Sequence, residues 1–104
     1  MVRISVYYAG GEGKKFDMDY YVNKHMKLVR ERLGSFGLVR TEVDKGVAGG
    51  APGAPAPYVA VGHVYLSSLD GWQKGMGQHG QEIVADVPNY TNIPPQIQVS
   101  EIVG

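Results

Sequence analysis

The sequence contains no cysteine among its 104 residues. Disulfides, thiol nucleophiles and thiolate metal sites are therefore excluded. No apolar run is long enough to span a bilayer, and no secretory apolar segment stands near the start. These absences give the expectation of a soluble, cytoplasmic protein without a membrane partner. An excess of one charge is also missing, since ten Lys and Arg balance ten Asp and Glu. Without a basic run or stripe, phosphate neutralisation has no footing, and a nucleic-acid partner is not expected. The three histidines, His25, His63 and His79, include no pair three or four residues apart, and no HExxH occurs. A local metal motif is thus lacking. The Gly-x-Gly pairs do not follow a strand as a dinucleotide site requires, and no cofactor is expected.

The best-defined stretch is residues 16–34, FDMDYYVNKHMKLVRERLG. Asp17 is placed as a helix N-cap. Phe16 and Tyr21 are spaced for a hydrophobic staple across it. Asp19 suits the positive end of the helix dipole, and Arg30 and Arg32 suit the negative end. Gly34 is the expected left-handed stop. Met18, Tyr21, Val22, His25, Val29 and Leu33 form one stripe at helical spacing. His25 thus lies in the apolar stripe, where an imidazole needs a polar partner or a ligand.

Residues 2–8, VRISVYY, alternate as a strand, with Val2, Ile4, Val6 and Tyr8 on one face and Arg3, Ser5 and Tyr7 on the other. Residues 36–45 give a second strand and residues 58–66 a third, apolar on both faces and so expected to be central. Between them, GVAGGAPGAPAP at 46–57 cannot build a core and is expected to form a mobile loop. Ser67 or Ser68 caps a second helix carrying Trp72, Met76, His79 and Ile83. Gly71, Gly75, Gly77 and Gly80 weaken that helix by roughly 1 kcal/mol each relative to alanine, so packing must hold it. Residues 96–103 complete the chain as a last strand.

The order β-α-β-β-α-β predicts an α+β, ferredoxin-like arrangement in a single domain over residues 1–104. It implies a four-stranded antiparallel sheet with both helices on one face. The uncovered face is expected to be buried against a second copy, giving a homodimer. A weak repeat is also present: Met18, Val22, His25 and Val29 share the spacing of Trp72, Met76, His79 and Ile83.

Phe16-Asp17-Met18-Asp19-Tyr20-Tyr21 followed by Lys24-His25-Met26-Lys27-Leu28 resembles the F-D-x-x-Y-Y…x-x-H-x-P-L start of the EthD family. Lys27 departs from the proline frequent there. Asp86-Val87-Pro88-Asn89-Tyr90-Thr91-Asn92 also looks like that family, and the resemblance spans nearly the whole chain. It implies a dimeric α/β barrel with a ligand cavity between helices and sheet, into which His25 points. The wider superfamily holds monooxygenases that need neither metal nor flavin, lactone isomerases, polyketide-tailoring enzymes and haem-degrading proteins. The name-giving member is tied to ether degradation.

His25 is the candidate acid or base, since an imidazole titrates near neutral pH. The alternative is a core histidine bonded to a carbonyl or a tyrosine. His79, Tyr7, Tyr21, Tyr65 and Tyr90 are candidate ligand-binding residues, aromatic walls and phenol hydroxyls suiting a flat organic molecule. Tyr20 is expected at the surface or in a dimer contact, and Asp17 and Asp19 as caps. Three functions remain open. One is a small cofactor-independent enzyme acting on a cyclic or aromatic carbonyl compound, by isomerisation, dehydration or oxygenation. The second is a non-catalytic ligand-binding or accessory protein of a degradation pathway. The third is a haem-handling protein.

Overall fold

The computed structural model describes residues 1–104. Strand β1 (Val2–Ala9) pairs antiparallel with β3 (Tyr58–Leu66) on one side and β4 (Gln96–Glu101) on the other. Strand β2 (Leu38–Lys45) lies outside β3, so the sheet order is β2-β3-β1-β4. The helices, α1 (Met18–Tyr20), α2 (Met26–Leu33) and α3 (Leu69–Ala85), pack on one face. This is the ferredoxin-like α+β arrangement that the element order implies.

Register and alternation decide what each face carries. Val6 stands opposite Gly62 and Ile97, and Ile4 opposite Val64 and Val99. These residues, with Tyr8, Ala60 and Leu66, face the helices. Ile4, Ala60, Leu66 and Leu33 are completely buried there. The opposite face carries Arg3, Ser5 and Tyr7 of β1, and Val59, Val61, His63 and Tyr65 of β3. It is mixed in character. Tyr65 donates to Glu42 (2.9 Å) beneath the Arg40 guanidinium, Tyr7 packs against Tyr58, and His63 bridges Ser5 (3.1 Å) and Asp44 (2.8 Å).

The first helical segment opens as its caps predict. Asp17 accepts from the Tyr20 amide at 3.0 Å, and the Phe16 and Tyr21 rings meet at 5.0 Å. It is not a straight α-helix, however. Tyr21–His25 forms a π turn between α1 and α2. The wider turn inserts one residue and rotates the downstream face. Met26 is therefore buried, whereas Val22, expected in the stripe, is 39% exposed. The stop also differs. Gly34 is right-handed and begins a short 3₁₀ turn, Gly34–Phe36, and the left-handed residue is Gly37, at φ 90°. β2 accordingly starts at Leu38, two residues later than expected.

Ser68 caps α3 by accepting from the Gly71 amide at 3.1 Å. The glycines of α3 admit close packing: a Cβ at Gly75 would press on Leu33 at 2.7 Å. Residues 46–57 join β2 to β3 and fold back through Gly49 N–H to the Ala54 carbonyl at 2.9 Å. No helix is long and apolar enough to cross a membrane.

Candidate functional site

Two segments far apart in sequence are laced together beside the start of α1. The Asp17 amide donates to the Tyr90 carbonyl (2.8 Å), and the Lys15 amide to Asn92 Oδ1 (2.8 Å). Asn92 Nδ2 returns a bond to the Gly13 carbonyl (2.9 Å), and Thr91 Oγ1 to that of Lys15 (2.6 Å). This lacing brings the end of α3 against the π turn.

His25 occupies the last position of that turn and is 5% exposed. Its Nδ1 lies 2.9 Å from Asp86 Oδ2. Asp86 is the C-cap of α3. Its other oxygen accepts from Tyr20 Oη (2.6 Å) and Asn89 Nδ2 (3.0 Å). Burial alone raises the Asp86 pKa, but the bonds from Tyr20, Asn89 and His25 outweigh it and hold the carboxyl below its ordinary value. The carboxylate is therefore ionised and only accepts, which puts the imidazole proton on Nδ1. Burial lowers the His25 pKa, against the opposing pull of Asp86. The ring is neutral near pH 7. Its Nε2 is a free lone pair without a protein partner.

His25 lines a cavity of about 80 Å³ between helices and sheet. Its walls are apolar, built from Met26, Val29, Val64, Met76 and Ile83 among others. Val84 (58% exposed) and Ile97 (54%) also line it, so its mouth lies between α3 and the edge strand β4. Tyr21 and Tyr8 line the same space. The His25 ring stacks on Tyr21 (5.5 Å, 14°) and meets Tyr90 at 4.7 Å. Tyr90 bonds Tyr8, Oη to Oη, at 2.6 Å.

Of the residues expected from sequence, the structure brings together His25, Tyr21 and Tyr90. Tyr7 and Tyr65 stand on the opposite face of the sheet, because alternation turns them away from the helices. His79 packs edge-on to Phe36 at 6.0 Å, outside the cavity lining. Tyr20 is not a free surface residue, because its hydroxyl is tied to Asp86. Sequence reasoning missed Asp86 and Tyr8. A carboxylate at the C-terminal end of a helix opposes the dipole, and that is the signal that marks Asp86. Tyr8 closes the same strand face as Val2, Ile4 and Val6. No group of three or more His, Asp or Glu is arranged to hold a metal ion.

A ferredoxin-like sheet that holds a histidine–carboxylate pair over an apolar cavity places the chain among small enzyme-like or ligand-binding proteins. The chain belongs to the EthD family, whose domain model matches residues 10–94. It is similar to an EthD-like protein of Ralstonia eutropha, at 40% identity and a TM-score of 0.93, covering 99% of this chain and 92% of that one. A Bacillus halodurans protein of the ethyl tert-butyl ether d (EthD) family shares 19% identity at a TM-score of 0.74, covering 99% of each chain. A dimeric ferredoxin-like protein from an uncultured marine organism shares the fold at 14% identity and a TM-score of 0.56, covering 100% of this chain and 96% of that one. No curated protein matches the chain.

Proposed function

We propose that the protein is a small enzyme that moves a proton on a cyclic or aromatic carbonyl compound held in the His25 cavity. The observation that carries this reading is the His25–Asp86 pair at 2.9 Å. Asp86 fixes the tautomer and the ring, leaving Nε2 as a base directed at the ligand space. Stacking on Tyr21 and contact with Tyr90 restrain the imidazole further.

In the reaction, Nε2 takes a proton from the carbon beside the carbonyl. The C–H pair forms a C=C bond, and the carbonyl π pair moves onto oxygen. Return of the same proton to another carbon completes an isomerisation, and loss of a β-hydroxyl as water gives a dehydration. Neither outcome needs an oxidant. We propose also that two chains pair through the uncovered sheet face. The mixed apolar and hydrogen-bonded surface of that face and the dimeric ferredoxin-like relative support this reading.

The test is exchange of the enolisable protons of 2-cyclopentenone in D₂O, followed by NMR. Exchange above the buffer rate that falls by about 10²–10⁴-fold in His25→Gln supports the reading. Exchange unchanged in that variant ends it. Ligand binding without any exchange would favour a non-catalytic binding protein.

A further inference from the structure

The cavity lining includes no lysine, arginine, aspartate or glutamate. A carboxylate, phosphate or ammonium entering it would lose its water and find no counter-charge. The side chains with polar atoms that line the space include His25, Tyr8 and Tyr21. Substrate recognition must run through these.

The tyrosines are not equivalent. The Tyr8 hydroxyl is committed to that of Tyr90 at 2.6 Å. The Tyr21 hydroxyl has no such partner, and Tyr21 lines the cavity. An unpaired donor in an apolar interior is costly, so its proton belongs where a ligand can accept it. Burial pushes the Tyr21 phenol well above its ordinary value, which keeps it protonated.

The Tyr21 hydroxyl is also seated by backbone. Gly62 lies in the middle of β3, a central strand where glycine is otherwise unfavourable. A Cβ there would collide with Tyr21 Oη. The missing side chain is the space the hydroxyl occupies.

We propose that the site takes an uncharged, enolisable carbonyl compound whose oxygen accepts the Tyr21 hydroxyl, with Gly62 positioning that donor. This rests on reading the His25 cavity as the active site. The carbonyl oxygen gains charge when His25 Nε2 removes the neighbouring proton, and Tyr21 meets that charge where it develops. Proton return to carbon sends the electron pair back, and Tyr21 keeps its own proton throughout.

The experiment is infrared difference spectroscopy of 2-cyclopentenone bound to the protein. The carbonyl stretch is expected at lower wavenumber than in hexane. Tyr21→Phe, which keeps the ring and its packing, should abolish that shift, whereas His25→Gln should retain it. Gly62→Ala should reduce it by displacing the hydroxyl, and if that variant fails to fold, Tyr21→Phe decides alone. Cyclopentanecarboxylate should bind at least tenfold more weakly than cyclopentanone. A carbonyl stretch unaffected by Tyr21→Phe, equal binding of the anion, or no binding of the ketone to the folded protein would each overturn the inference. A retained shift without proton exchange would sink only the catalytic reading, so the two failures are distinguishable.

Discussion

Tyr20 and His25 hold opposite oxygens of one carboxylate, that of Asp86, at 2.6 and 2.9 Å. Both come from the first helical segment, one from α1 and one from the π turn. Asp86→Asn should therefore act on the base without dismantling the fold. The amide can accept from only one of the two donors and no longer stabilises an imidazolium. Proton exchange on 2-cyclopentenone is expected to fall on the order of 10²-fold, with the melting temperature nearly retained. Tyr20→Phe should produce a smaller loss, because Asn89 still holds that oxygen. Full activity in Asp86→Asn would show that the carboxylate does not tune the base.

The pH dependence follows from burial. His25 titrates below its ordinary 6.5, so its basic form persists to lower pH than in a free histidine. The exchange rate should be flat above pH 6.5 and fall as pH drops through the lowered value. Stability follows the same sense. The unfolded chain takes up the proton first, so this contribution is complete above 6.5 and lost as pH falls through the folded value. Asp86 is held below 3.8, and its contribution is lost only as pH falls through that still lower value. Melting curves across pH should show the first limb in the native protein and not in His25→Gln. An activity limb rising above pH 7 would contradict the neutral, buried base.

Pairing through the uncovered sheet face is expected to give a dimer at micromolar concentration in sedimentation velocity. Val61 lies mid-strand on that face, opposite Tyr7 and Asp44 in the two flanking strands. Val61→Glu should yield a folded monomer, because a second carboxylate beside Asp44 finds no counter-charge and opposes association when desolvated. A native protein that sediments as a monomer would refute the pairing.

Removing residues 48–55 should change the melting temperature little, because loop-closure free energy varies by only about 0.6 kcal/mol for each doubling of length. Gly46 must stay, since a Cβ there would strike the Tyr58 carbonyl. A drop of many degrees would mean that the segment packs against a second copy.

Much of this was readable before any coordinates. Strand alternation put Tyr7 and Tyr8 on opposite faces. What it could not tell is which face the helices cover, and that choice separates Tyr8 from Tyr7 and Tyr65. His25 stood out because a polar ring interrupts an apolar stripe. Its partner did not, because Asp86 is 61 residues away, and only the lacing of Lys15 and Asp17 to Tyr90–Asn92 brings the two together. The π turn left no sign in composition or spacing, so the straight-helix stripe misplaced Val22 and omitted Met26. His79 matched His25 in spacing, but spacing within one helix says nothing about which neighbour that helix meets.

The lacing between the two halves has a consequence for how the protein is made. His25 leaves the ribosome early, but its carboxylate and the Tyr90 hydroxyl follow only when most of the chain has been synthesised. Until then the imidazole has no carboxylate to orient it. The His25–Asp86 pair therefore exists only once the chain has closed on itself.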